Sequence, residues 1–188
     1  MPTYTIFSGA NGVGKTSIYK SIYYNENKYE KRINTDEMVA RIGSWKDNNL
    51  QMESAREAVK LIKIYISEKI SFNQETTLSG KSIIKNIKLA KKNGFYIVMN
   101  YIGVKNPEIA KDRVKIRVNK GGHGISDDTI ERRYYSSLKN LKAVIEVCDE
   151  ITIYDNTEIF KEILDYKDGN LIWEDKNMPN WANNLLDK

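Results

Sequence analysis

Short apolar runs alternate with longer stretches of helical periodicity along this chain, and that alternation predicts its architecture. Residues 4–7 form a compact β-prone run, read as a buried strand. Ile18, Ile22 and Tyr23 recur at helical spacing and predict a helix over 16–24. Arg32 and Ile33 are β-prone. Asn34 or Thr35 then caps a helix that runs through Ile42 and ends at Gly43. Residues 50–70 predict a long helix with Met52, Ala55, Ala58, Val59, Leu61, Ile62 and Ile66 on its apolar side. Residues 71–76 are a strand candidate with thin apolar content, and 79–93 an amphipathic helix closed by Gly94. Residues 95–102 are nearly continuous in large apolar side chains, the pattern of an interior strand. Pro107 opens a helix that stops at Gly121 and Gly122, and Ser126 or Asp127 caps the next. The last interior strand is 150–154.

Strands alternating with helices imply a mainly parallel sheet covered on both faces, an α/β fold of three α/β/α layers. The tail differs. Two β-prone runs flank Asp168 and Gly169, a hairpin signal read as a small antiparallel appendage. A short helix is expected over 181–186. Without an internal repeat or linker, residues 1–188 read as one domain, with its core at about 3–156 and the hairpin and tail at about 157–188.

Composition narrows the setting more than the fold. No apolar run approaches the ~20 residues of a membrane span. Cys148 is the only cysteine, so no internal disulfide can form and a reducing cytoplasm is the expected location. It sits within an apolar stretch and is read as a core residue. The net charge of +5 comes from 30 basic and 25 acidic residues. That excess suits a pocket for polyphosphates, together with solvated helix faces. Basic residues are not interleaved with aromatics as in a single-strand groove, so nucleic acid is not the expected partner.

The chemistry begins at Gly9, Ala10, Asn11, Gly12, Val13, Gly14, Lys15 and Thr16, which together match G-x-x-x-x-G-K-[ST] throughout. Glycines let backbone N–H groups turn inward to form a nest for phosphate oxygens. The helix that starts at Lys15 and continues through Ser17 adds its positive end. Lys15 is the cation expected at the β- and γ-phosphates, and the Thr16 hydroxyl the ligand expected for Mg²⁺. A strand before the motif and a helix after it supply the required context, so a nucleoside triphosphate is the expected ligand.

Other candidates lie where strands end. Asp36 opens a helix and is placed to take a proton from a substrate hydroxyl, to hold a metal through water, or only to improve the helix start. Glu75, Thr76, Thr77 and Ser79 end the thin strand and suit either hydroxyl recognition or a polar turn. Arg113, Arg117, Lys120, His123, Arg132 and Arg133 cluster around Gly121 and Gly122, where phosphoryl transfer would use arginine forks. No strongly apolar strand ends in an aspartate of Walker-B type. Metal binding is therefore assigned to Thr16 with Asp36 or Glu75. This favours a small kinase over motor-like or switch-like ATPases. An ATP-hydrolysing switch or nucleic-acid-associated ATPase is the alternative.

The combination of GANGVGKT, INTDEM, QETTLSG and RVKIRVNKGGHGISDDTIERRYYSSLKNL, in that order, resembles the zeta toxin family of P-loop kinases. The resemblance covers about 3–156. It implies a P-loop NTPase fold and transfer of the γ-phosphoryl group of ATP, with Mg²⁺, to a small-molecule hydroxyl, that of UDP-N-acetylglucosamine in the family. It also implies an antitoxin protein as partner. By the same resemblance Asp36 is the base, Glu75 and Thr77 contact the acceptor, and Arg117 faces the phosphates. His123, Arg132 and Arg133 are the alternatives for a second phosphate-facing group, and Asn156 belongs to the loop near adenine. Larger family members carry a substrate-binding elaboration for which this chain has little room, and the acceptor is left open.

Overall fold

The computed structural model describes residues 1–27, 29–183 and 185. Its seven strands form one sheet in the order β2-β3-β1-β4-β5-β6-β7. They are β1 (Thr3–Ser8), β2 (Lys31–Ile33), β3 (Phe72–Thr76), β4 (Tyr96–Gly103), β5 (Glu150–Asp155), β6 (Lys161–Lys167) and β7 (Asn170–Glu174). The first five run parallel, and β6 and β7 run antiparallel to their neighbours. The expected hairpin therefore continues the main sheet through β5, rather than standing apart from it.

Period-two alternation builds two apolar cores from the same strands. Tyr4 and Ile6 of β1, Ile97 and Met99 of β4, and Ile151 and Ile153 of β5 point to one face. Phe7, Ile102 and Tyr154 point to the other. Helices α4 (Asn48–Ser67) and α5 (Lys81–Lys92) cover the first face through Ala58, Ile62, Ile66, Ile83 and Ile87. The second is covered by α1 (Lys15–Ile18), α6 (Pro107–Asn119) and the first half of α7 (Asp127–Val144), through Ile18, Val114 and Ile130.

Several elements differ from the sequence pattern for identifiable reasons. The helix after the P-loop is not uniform. A π-helical turn at Tyr19–Tyr23 separates α1 from α2 (Tyr24–Asn27). Tyr19 and Tyr23 both meet Phe7 edge-on, and the Tyr23 hydroxyl donates to Glu30 at 2.8 Å, so aromatic packing sets the local winding. On α4 the buried stripe is Ser54, Ala58, Ile62 and Ile66, whereas Met52 and Val59 are exposed. Asp47 caps that helix through Asn49 N and Leu50 N, which sets its start ahead of residue 50. Helix α5 starts from Gly80 without a side-chain cap, and the hydroxyls of Ser79 and Thr77 bond to each other instead. Cys148 is buried, and burial pushes its thiol up to about 12, so it is an inert core residue.

The end of the chain closes the first core. Ala182 and Leu185 are buried there, and Trp181 lies over Gly103, donating its indole N–H to Asp155 at 2.9 Å. Residues 181–183 form a turn, not the expected helix, and the rest of that expectation falls partly outside the described residues. Among the described residues, no helix is long and apolar enough to cross a membrane.

Candidate active site

Strand register brings the site together at the carboxyl edge of the sheet, where parallel α/β folds bind ligands. Phe7 of β1 pairs beside Glu75 of β3, and Ser8 beside both Thr76 and Tyr101. The chain then turns into the P-loop directly next to the end of β3. Gly9 has φ +135°, and a Cβ built there would stand 2.1 Å from the Ile102 carbonyl oxygen. Gly12 has φ +80°, and its Cβ would stand 2.4 Å from the carbonyl of Ala110. These two positions need both the left-handed backbone and the missing side chain. Gly9→Ala is expected to destabilise the fold by about 2 kcal/mol and to weaken ATP binding. Thermal unfolding and nucleotide titration check this, and unchanged values would show that the loop adapts without cost.

Lys15 is buried within the loop, its Nζ donating to the Ala10 carbonyl at 2.8 Å. Burial lowers its pKa, opposed by the carboxylates of Glu75 and Asp36. A cation held by a single carbonyl and two nearby carboxylates is ready to exchange that carbonyl for a phosphate oxygen. From behind the loop, the Asn156 side chain donates to the Val13 carbonyl at 2.8 Å. Asn156 braces the loop and does not line the cleft in front of it.

Thr16 donates its hydroxyl to Glu75 Oε1 at 2.7 Å. The other carboxylate oxygen of Glu75 accepts from Arg32 at 2.8 Å and from Asn34 at 2.9 Å. Arg32 is fixed in turn by Glu37, Asn73 and the Tyr19 ring, whose centroid lies 3.5 Å from the guanidinium carbon. Glu75 therefore stands on the strand next to β1 with one oxygen at the P-loop hydroxyl. The apolar pattern along the chain gave no sign of a carboxylate there. The pattern hid it because β3, FNQET, is short and polar.

Asp36 sits in the first turn of α3 (Thr35–Ile42), about half exposed, and its Oδ1 lies 4.0 Å from His123 Nε2. Asn34 caps α3 by accepting from the N–H groups of Asp36 and Glu37, which fixes the Asp36 backbone. Burial lowers the His123 pKa below the usual histidine value, against the pull of Asp36 and with help from Arg117 and Arg133. Its ring packs against Trp45 at 5.2 Å between centroids.

Arg117 donates Nε to the His123 carbonyl at 2.8 Å, while its Nη2 is buried without a partner among the described residues. Arg133 donates to Asn11 of the P-loop at 3.1 Å. Both line a cleft of about 680 Å³ together with Lys15, Thr16, Asp36, Glu75, Thr77 and His123. Gly12, Gly14, Asn11 and Ser17 line it too, whereas Gly9, Ala10, Val13 and Arg132 do not. Of the three alternatives for a second phosphate-facing group, the cleft holds His123 and Arg133. Arg113, another of the clustered basic residues, donates to the Thr157 carbonyl at 3.1 Å and does not line the cleft.

Sequence reasoning missed the far wall of the cleft. Asn48, Gln51 and Ala55 of α4 line it, and the Gln51 amide holds the Trp45 carbonyl at 2.5 Å. It also missed Arg32 and Asn34 as the supports of Glu75. The signal available was the run Arg32-Ile33-Asn34 beside a β-strand edge.

Thr16 and Glu75 offer adjacent hard oxygen donors, with Asp36 in the same cleft. Mg²⁺ is commonly bound this way, through one or two carboxylates, waters and substrate phosphates, so the residues fit that ion. Among the described residues there is no cluster of three or more His, Cys, Asp or Glu side chains that would form an all-protein cage.

The family model of the zeta toxins matches residues 1–169. A relative in Haemophilus influenzae (strain ATCC 51907 / DSM 11121 / KW20 / Rd), itself uncharacterised, is 37% identical over 128 residues, spanning 68% of this chain and 89% of its own. Among solved structures, one from the PezAT chromosomal toxin–antitoxin system of Streptococcus pneumoniae superposes with a TM-score of 0.63 at 17% identity, covering 99% of this chain and 77% of that one. The AvrRxo1-ORF1:-ORF2 complex with ATP gives 0.73 at 16% identity, covering 91% of this chain and 60% of that one. This chain thus spans less than two thirds of the length of the AvrRxo1 protein it matches. With the motif order, the sheet order and the family match in agreement, the chain belongs to the zeta toxin family and has its P-loop kinase fold.

Proposed function

We propose that this protein is an ATP-dependent phosphotransferase that moves the γ-phosphoryl group to a hydroxyl of a small molecule. The observation that carries the proposal is the shared cleft. Asp36 lies in the same concavity as Lys15 and Thr16, with Arg117 and Arg133 also on its lining. A hydrolytic switch has less need of a half-exposed carboxylate within the phosphate cleft.

In this reading the P-loop backbone and Lys15 hold the β- and γ-phosphates, braced by Asn156. Arg117, with its unpartnered Nη2, and Arg133 meet the charge on the γ-phosphoryl oxygens. Thr16 and Glu75 would hold Mg²⁺, which would supply charge neutralisation at the phosphates. Asp36 orients the acceptor hydroxyl and takes its proton. Thr77 and His123 line the acceptor side, and Arg132 does not line the cleft. Glu75 is thereby moved from acceptor contact to metal support. ATP as donor is supported by family membership and by the ATP complex of the AvrRxo1 relative. The same relatives come from a toxin–antitoxin system and a two-protein complex, and by that likeness a protein antitoxin is the partner proposed for this chain.

Incubation with ATP, Mg²⁺ and a panel of hydroxyl-bearing metabolites is expected to give ADP only with an accepted compound, which gains the mass of one phosphate. ADP released at the same rate without any acceptor would replace the kinase reading with ATP hydrolysis.

A further inference from the structure

The connection between α6 and α7 is anchored by a tryptophan from another part of the chain. Residues 121–124 read Gly-Gly-His-Gly, and a segment so poor in side chains is costly in backbone entropy to order. Its start is tied to α6, where the N–H groups of Gly121 and Gly122 donate to the carbonyls of Val118 and Arg117 at 2.8 and 2.9 Å. Past that point only His123 has a side chain to hold it. No hydrogen bond fixes the imidazole among the described residues: Nδ1 is buried without a partner, and Nε2 stands 4.0 Å from Asp36 Oδ1, too far for one. What meets the imidazole is the Trp45 ring, at 5.2 Å between centroids.

Trp45 grips the segment a second time at Gly124. A Cβ built there would stand 2.8 Å from Cη2 of the indole, so the missing side chain is what lets the ring lie this close. The tryptophan is itself placed from α4, whose Gln51 amide donates to the Trp45 carbonyl at 2.5 Å. Packing around the contact is open. Trp45, Val114, Val118, Gly124 and Ile125 line a neighbouring cavity of about 450 Å³, so no solid core supports the segment on that side.

The segment matters for what it carries. Its His123 carbonyl accepts from Arg117 Nε at 2.8 Å and so fixes a guanidinium whose Nη2 is buried and unpartnered among the described residues. A Cβ on Gly122 would stand 2.6 Å from Arg117 Cγ, so the segment also lies along the arginine stem. We infer that Trp45, which does not itself line the cleft, is a positioning residue for Arg117. By stacking on His123 and covering Gly124 it orders the glycine segment, and the ordered segment holds the guanidinium toward the γ-phosphate. The inference rests on the proposed reading of Arg117 as a γ-phosphate contact and adds the residue that keeps it there.

Binding of ATP and of ADP to the intact protein, each with Mg²⁺ and no acceptor, separates this role from plain packing, because ADP lacks the phosphate that Arg117 meets. Trp45→Ala is expected to weaken ATP about three- to tenfold, the worth of one aromatic contact, and to leave ADP within about twofold. Trp45→Phe keeps a ring over His123 and is expected to restore most of the ATP affinity. Gly124→Ala pushes the indole off the segment without removing it, is expected to reproduce the Trp45→Ala pattern, and serves where Trp45→Ala folds poorly. With Arg117→Ala already present, Trp45→Ala is expected to add nothing to the loss of ATP. Equal weakening of ATP and ADP, an ATP-to-ADP ratio unmoved by Trp45→Ala and Gly124→Ala, or a further loss from Trp45→Ala once Arg117 is gone overturns the inference and leaves the kinase reading standing. An Arg117→Ala variant that keeps the parent ratio removes Arg117 from the γ-phosphate, and the inference with it.

Discussion

Asp36→Asn is expected to cut phosphoryl transfer by about 10²- to 10⁴-fold in kcat, the span usual for a positioned general base, while ATP still binds. The substitution keeps shape and removes only the capacity to take a proton. Asp36 makes its fixed contacts through its backbone N–H, which donates to Asn34 Oδ1 at 3.0 Å and is unaffected by the change. Its carboxylate is half exposed and its one ion-pair neighbour among the described residues, His123, lies 4.0 Å away, so folding depends little on it. The helix-start contribution of the charge is small at such exposure, and thermal stability is expected to stay within about 1 kcal/mol of the parent. In the proposed reading nucleotide affinity rests on Lys15, Arg117 and Arg133, and it is expected to hold or rise slightly as a negative charge leaves. Single-turnover transfer together with nucleotide titration separates these effects. Full transfer activity in the Asp36→Asn variant would remove Asp36 as the base.

The sequence showed most of what periodicity and motif spacing can carry. The strand-loop-helix around Lys15, the interior strands β4 and β5 and the parallel core were legible because their burial leaves an apolar pattern. The P-loop was legible because its backbone geometry restricts residue type at Gly9, Gly12 and Gly14. Less legible was anything created by two segments meeting. The role of Glu75 depends on β3 pairing beside β1, with Phe7 next to Glu75, a register that no local pattern encodes. Arg32 and Asn34 matter only because β2 pairs with β3. The α4 residues Asn48, Gln51 and Ala55 look like the polar face of any helix until α4 is packed against the cleft. Resemblance to the family pointed to Asp36, Glu75 and Arg117 together, and the fold brings those three into one cavity. It could not rank His123, Arg132 and Arg133, because His123 lies in the loop before α7 and the adjacent Arg132 and Arg133 are separated only by which way α7 turns its side chains.

Glu75→Gln is the second expected loss, and it distinguishes a metal-supporting carboxylate from an acceptor contact. Glu75 is only 11% exposed and accepts from three donors, the Thr16 hydroxyl, the Arg32 guanidinium and the Asn34 amide. A glutamine keeps the shape but turns one acceptor into an NH₂ group, which must face one of those donors. Arg32 retains Glu37, so the charge is not stranded, and the loss is about 2 kcal/mol, or roughly 4–8 °C in Tm for a chain of this size. If Glu75 supports Mg²⁺ with Thr16, the Mg²⁺ concentration for half-maximal transfer rises about 10- to 100-fold, and excess Mg²⁺ recovers part of the rate. If Glu75 instead binds the acceptor, the Mg²⁺ dependence stays as in the parent and only the acceptor KM rises. The Thr16 hydroxyl donating at 2.7 Å favours the first outcome, because a carboxylate already held at the phosphate-side hydroxyl is poorly placed to reach a sugar as well. Thr16→Val should then reproduce the Mg²⁺ shift, since it removes the other oxygen of the pair and leaves Glu75 bound to Arg32 and Asn34. A normal Mg²⁺ requirement in both variants would move the metal to Asp36 and leave Glu75 as a structural anchor of β2 and β3.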